Sequence, residues 1–120
     1  MISIVDDDPM VRESTVDLIN SLGYSATAFE SAEEFLDSGQ VKNMTCLITD
    51  LQLPGLNGIE LQEQLKADGH RAPVIFITAF PEASARARAL AAGAVAFLTK
   101  PFEEGALIRS LETALNKPIL

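Results

Sequence analysis

The segment Ile2-Ser3-Ile4-Val5-Asp6-Asp7-Asp8-Pro9 decides how this chain folds. A short apolar run this close to the N-terminus reads as a buried strand. Three aspartates follow it at once, and Asp8-Pro9 then opens a helix. Asp8 can cap that helix, and Pro9 suits its first position. A strand that passes through a polar corner straight into a helix is the first half of a βα unit. In open α/β sheets the ligand site lies outside the carboxyl ends of the strands, where Asp6 and Asp7 stand. Clustered carboxylates repel one another, and a hard divalent cation is the natural group to hold them ionised together.

The same alternation continues outward from this segment. Val11, Thr15, Leu18 and Leu22 recur at helical spacing, and Gly23 ends the helix. Residues 24–29 are half polar, with Ser25 and Thr27 facing away from Ala26 and Ala28, which suits an edge strand. Ser31-Ala32-Glu33-Glu34 carries the pattern of a capping box and starts a short second helix. Thr45-Cys46-Leu47-Ile48-Thr49 reads as a third strand ending on Asp50. Pro54, Gly55 and Gly58 punctuate the loop that follows, and a helix with Ile59, Leu61 and Leu65 comes next.

Val74-Ile75-Phe76-Ile77-Thr78 is apolar enough to be a central parallel strand. A fourth helix is expected to begin at Pro81 and stop at Gly93. Its inward residues are expected to be Ala83, Ala87 and Leu90. Ala96-Phe97-Leu98-Thr99 is the fifth strand, closed by Lys100-Pro101. A last helix places Leu107, Ile108, Leu111 and Leu115 on one face. Five βα units with no repeat or internal linker imply a parallel sheet with helices on both faces.

The 120 residues are the size of one domain, and 48% hydrophobic content is enough for a core. Nine basic against seventeen acidic side chains leave a net charge of −8. That balance argues against nucleic acid or an anionic membrane as a direct partner. The single Cys46 lies in an apolar run and reads as a buried, inert thiol. No stretch reads as a signal peptide or membrane span, so a soluble cytoplasmic protein is expected.

Several strand ends bear polar groups: Asp6 and Asp7, then Asp50, Thr78 and Lys100. In a parallel sheet these ends point the same way. If the first and third strands are neighbours, Asp6, Asp7 and Asp50 converge, with Thr78 and Lys100 arriving from the next two strands. Singly, each has an ordinary explanation: a turn former, a local hydrogen bond, a solvated lysine. Asp8 is assigned to that explanation, as a helix cap. Acid, acid, hydroxyl and amine on one rim are not explained that way.

With these residues in place, the chain resembles the receiver domain of two-component response regulators. The resemblance is carried by Ile4-Val5-Asp6-Asp7-Asp8, Thr49-Asp50 with residues 51–58, Ile75-Phe76-Ile77-Thr78-Ala79 and Ala96-Phe97-Leu98-Thr99-Lys100-Pro101-Phe102. Within the family it looks most like receivers of transcriptional regulators with a helix-turn-helix output domain. The resemblance implies a doubly wound, flavodoxin-like fold with a five-stranded parallel sheet in the order 2-1-3-4-5, and one receiver domain over residues 1–120.

It also implies roles. Asp50 would accept a phosphoryl group from a sensor histidine kinase. Asp7 and Asp50, with the backbone carbonyl of Gln52, would bind Mg²⁺ directly, and Asp6 would act mainly through metal-bound water. Thr78 would hydrogen-bond the phosphoryl group. Lys100 would pair with Asp50 and then with the phosphoryl oxygens. Phe97 would be the aromatic switch, lacking the hydroxyl of the Tyr often found there, and Ala79 would leave the pocket open. The Lys100-Pro101 bond would be cis. Gln52 and Phe80 sit where the family tunes phosphoryl lifetime. The output domain would lie outside this chain, and phosphorylation would repack the face of the fourth helix, fifth strand and last helix, favouring either a homodimer or release of that output domain. The stop just past the last helix fits a stand-alone receiver or a piece of a longer regulator.

Two other readings compete. A phosphohydrolase of the haloacid dehalogenase type also uses an aspartyl nucleophile but needs a second acid two residues later, where this chain has Gln52. A flavin-binding module of flavodoxin type needs a phosphate-cradling loop after the first strand, where Asp6-Asp7-Asp8 would repel phosphate. Arg86 and Arg88 read as a solvated face or, alternatively, a dimer contact. His70 reads as a turn residue with no chemical role.

Overall fold

A computed structural model of the protein describes residues 1–116; the expected domain end at residue 120 lies outside them. Strand and helix alternate as β1 (Ile2–Val5), α1 (Pro9–Ser21), β2 (Ala26–Phe29), α2 (Ala32–Asp37), β3 (Cys46–Asp50), α3 (Gly58–Ala67), β4 (Val74–Thr78), α4 (Ala83–Ala91), β5 (Ala96–Thr99) and α5 (Glu104–Leu115). A short 3-10 turn, Val41–Asn43, leads into β3. The five strands form one parallel sheet in the order β2-β1-β3-β4-β5, as expected.

The period of two in the strands divides the core between the two faces of the sheet. Ile2, Ile4, Cys46, Ile48, Ile75 and Ile77 point to the face covered by α1 and α5, where Ile19, Leu107 and Leu111 meet them. Val5, Leu47, Val74 and Phe76 point to the other face, under α2, α3 and α4, with Phe35, Ile59, Leu61 and Leu65. A strand covered on both faces has no polar side to show. That is why β3 and β4 read as continuous apolar runs.

Local chemistry sets the helix ends. Asp8 caps α1, its Oδ1 accepting from the Met10 amide at 2.9 Å. Ser31 caps α2 through the Glu34 amide at 3.1 Å. A full capping box stands one helix later, where the Asn57 side chain takes the Glu60 amide and the Glu60 side chain takes the Asn57 amide.

Two expectations need correction. The fourth helix begins at Ala83 with Glu82 as its cap, not at Pro81. Its inward residues are Ala85 and Ala89, whereas Ala83, Ala87 and Leu90 are exposed. Alanine at every second position gives a helix no apolar face of its own, so the sheet surface chooses which methyls fit. On α1, Thr15 is buried as expected, but the deepest residue is Ile19. Leu18 and Leu22 pack beside it half-exposed.

Candidate functional site

The strand order reverses between β1 and β3, since the chain goes out to β2 and returns on the other side of β1. The register pairs Val5 with Thr49, so Asp6 and Asp50 leave their strands one step later, side by side. Register also pairs Asp50 with Ile77 and Thr78 with Thr99, which sets Lys100 one step past the end of β5. The rim is stitched by backbone hydrogen bonds from Leu51 to Ile77 at 3.3 Å and from Lys100 to Thr78 at 2.7 Å.

Three carboxylates meet here. Asp6, Asp7 and Asp50 each offer an oxygen within 4.8 Å of the others. Asp6 and Asp50 are buried and Asp7 is exposed, so the cluster opens to solvent on the Asp7 side. Lys100 answers two of them at once, its Nζ lying 2.9 Å from Asp6 Oδ2 and 2.8 Å from Asp50 Oδ2. The Asp6 pair is an addition to the expected one with Asp50. The remaining oxygens are also engaged: Asp6 Oδ1 accepts from the Asp8 amide at 2.9 Å, and Asp50 Oδ1 from the Gln52 amide at 3.1 Å.

Charge at this rim does not balance. Burial pushes the Asp6 carboxyl above its ordinary range, and the neighbouring Asp50 charge adds to that; the Asp8 amide and Lys100 only partly oppose it. Burial also works against the Lys100 ammonium, but hydrogen bonds and charge from Asp50 and Asp6 together outweigh it and raise its pKa. One ammonium among three carboxylates leaves room for more positive charge. Ligand oxygens on an octahedron of radius about 2.1 Å lie roughly 3–4 Å apart, so small side-chain shifts bring this cluster within reach of a hard divalent cation.

The other expected residues surround the cluster. Thr78 is fully buried, and its hydroxyl accepts from the Phe80 amide at 3.1 Å, the local hydrogen bond of a strand end. Ala79 and Phe80 are exposed beside it. Phe97 is half-buried, its ring 6.1 Å from that of Phe76, and it packs against the core under α2, α3 and α4. The Lys100-Pro101 peptide is cis, as expected. Away from the rim, Cys46 is buried, and its thiol is pushed up to about 12 by that burial. His70 lies in the turn after α3. Arg88 pairs with Glu63 at 3.1 Å with both side chains exposed, a contact worth little in water.

Two residues that sequence reading passed over hold the rim in shape. Glu33 of α2 reaches the loop after Asp50 and accepts from the Leu56 amide at 2.8 Å. That hydrogen bond holds the Glu33 carboxyl below its ordinary range. Arg12 of α1 donates to the Asp6 carbonyl at 2.7 Å. Position offered the one available signal: Arg12 stands four residues after the cap Asp8, within the first turns of a helix that starts at the rim.

The profile of the response regulator receiver domain family matches residues 2–112. Over 116 residues the chain is 36% identical to the transcriptional regulatory protein FixJ of Azorhizobium caulinodans, covering 97% of this chain and 55% of that protein. It is 39% identical to the response regulator protein TodT of Pseudomonas putida strain F1, covering 97% of this chain and 51% of TodT. The chain therefore spans about half the length of these relatives. Among solved structures, the response regulator StyR superposes with a TM-score of 0.88 at 43% identity, covering 96% of this chain and 58% of that one. The FixJ-N crystal structure superposes at 0.85 with 33% identity, covering 96% of this chain and 92% of that one.

Proposed function

Because the chain belongs to the response regulator receiver domain family, we propose that residues 1–120 form one phosphoacceptor domain that takes a phosphoryl group onto Asp50 from a sensor histidine kinase. The observation that carries this reading is Asp50 itself. It is a buried carboxylate at the switch point of the sheet, within reach of Asp6 and Asp7 and paired with Lys100.

Asp7, Asp50 and the backbone carbonyl of Gln52 would hold Mg²⁺, with Asp6 acting through metal-bound water. A bound Mg²⁺ would offset the charge of the incoming phosphoryl oxygens. An Asp50 oxygen attacks phosphorus in line; the new O–P bond forms as the N–P bond of the phosphohistidine breaks. Lys100, already on Asp50, then pairs with the phosphoryl oxygens. Thr78 gives up its hydrogen bond from Phe80 and turns its hydroxyl to the same group. The space it vacates admits further movement of the Phe97 ring, and the face of α4, β5 and α5 repacks.

That face would then support a homodimer or release an attached output domain. The relatives FixJ and TodT are named as regulators, and each is about twice the length of this chain. A DNA-binding output domain outside these residues, controlling transcription, fits that relation. On this reading the chain works in the cytoplasm, touches neither DNA nor membrane directly, and catalyses only its own phosphorylation and dephosphorylation.

The test is incubation with acetyl phosphate and Mg²⁺. One phosphoryl group per chain should appear, labile to hydroxylamine as acyl phosphates are. Equal labelling of an Asp50→Asn variant would sink the assignment.

A further inference from the structure

We propose that Arg12 is a positioning residue for the cation site, and that it acts by fixing the backbone at the exit of β1 so that Asp7 is correctly aimed. The inference rests on the phosphoacceptor reading, since it gives Asp7 the role of direct Mg²⁺ ligand. The geometry is specific. The Arg12 side chain is 17% exposed, lies against the rim, and places Nη2 3.7 Å from Glu30 Oε1 just past the end of β2. Its Nη1 donates to the Asp6 carbonyl at 2.7 Å. On the other side of the same residue, the Asp6 amide donates to the Phe29 carbonyl at 3.1 Å. The backbone of Asp6 is thus held at both ends, once by sheet pairing and once by a charged donor.

What this does for Asp7 follows from peptide geometry. The Asp6 carbonyl and the Asp7 amide belong to one planar unit, so orienting the carbonyl orients the amide as well. Asp7 is exposed, and among the described residues no hydrogen bond or ion pair of its side chain is found. Its aim is therefore set through its backbone. Asp6 differs: its carboxylate is fixed directly by the Asp8 amide and Lys100.

Charge and position make opposite demands on Arg12. A guanidinium stays charged throughout the accessible pH range. Acting only as a charge, it would repel a divalent cation bound nearby, and its removal would tighten Mg²⁺ binding. Acting by position, its removal would weaken binding even though a repelling charge has gone. Outer contacts that orient metal ligands typically change affinity by about 10–100-fold when lost.

The experiment is a Mg²⁺ titration of wild type, Arg12→Met and Arg12→Lys, followed by the shift in unfolding temperature and by the amide resonance of Asp7. Arg12→Met should weaken Mg²⁺ binding about tenfold or more. Arg12→Lys, which can still donate to the Asp6 carbonyl, should recover part of the loss. In metal-free buffer the Asp6 amide, which donates to the Phe29 carbonyl, should exchange faster in Arg12→Met than in wild type. Arg12→Gln, also neutral, takes over the comparison if Arg12→Met does not fold. Unchanged or tighter binding in the neutral variant overturns the inference while leaving the phosphoacceptor reading intact. A wild type that shows no response to Mg²⁺ defeats both.

Discussion

At the scale of single residues, Gly58 shows how tightly the chain closes around Asp50. A methyl group on Gly58 would collide with the Asp50 carbonyl oxygen and would lie only 3.0 Å from both Leu51 Cα and Phe76 Cε1. The Gly58 amide needs that close approach, because it donates to the Leu51 carbonyl at 2.9 Å. Gly58→Ala should therefore cost about 1–3 kcal/mol, the range for overpacking a rigid site, read as a lower urea midpoint. Cys46 makes a different prediction. With its thiol pushed up to about 12 from an ordinary 9.0, the folded chain holds a proton that the unfolded chain releases. Stability should then fall as pH rises from 9.0 towards 12, by about 1.4 kcal/mol per unit at most. A Cys46→Ala variant should lack this extra slope in denaturant titrations. Native protein at about pH 8 should also resist iodoacetamide until it is unfolded.

At the scale of elements, α3 and α4 lie side by side and differ in how they are held. α3 buries Ile59, Leu61 and Leu65, whereas Ala89 is the one fully buried residue of α4 and Ala85 is half-buried. Stabilisation scales with apolar area removed from water, so α4 is the weaker attachment. A hydrogen bond from the buried Gln62 side chain to the Ala89 carbonyl, 3.2 Å long, ties it back to α3. Amide exchange should run faster in α4 than in α3 or β4; protection of α4 equal to that of β4 would contradict this ranking. The outer side of α4 carries the exposed Leu90 (39%), close in sequence to the exposed Phe80 (64%). A Leu90→Glu variant should change stability by less than about 0.5 kcal/mol, as surface substitutions do. It should nonetheless prevent self-association of the protein loaded with a phosphoryl mimic such as beryllium trifluoride, checked by sedimentation. Self-association of the variant at wild-type strength would remove α4 from the proposed interface.

At the scale of the whole molecule, the acidic rim couples stability to cation binding. A cation that binds only the folded state stabilises it by mass action, about 1.4 kcal/mol when its free concentration is tenfold above Kd. Mg²⁺ should therefore raise the unfolding temperature, with a midpoint in the millimolar range. Asp7→Ala should abolish most of that rise while folding normally in EDTA, because the Asp7 side chain is exposed. An undiminished rise in Asp7→Ala would refute the ligand role. The net charge of −8 gives a second whole-molecule prediction. These 120 residues alone should show no salt-sensitive binding to duplex DNA, since binding to phosphates needs clustered cations.

Much of this protein could be read from residues close together in the chain. Apolar runs of strand length, the Asp8-Pro9 helix start and the glycine stops are local features, and local propensity and period decide them. Once five βα units are recognised, parallel strands must send their ends to one rim, so the sequence alone places Asp6, Asp7, Asp50, Thr78 and Lys100 on that rim. What local pattern does not contain is the shape of the surface against which each element settles. The alanines of α4 are nearly alike, and only the sheet beneath them decides that Ala85 and Ala89 turn inward while Leu90 stays out. The double pairing of Lys100, the reach of Glu33 to Leu56 and the grip of Arg12 on the Asp6 carbonyl were likewise settled in three dimensions. A long polar side chain has many partners within its length, and tertiary packing alone determines which of them comes within hydrogen-bonding distance.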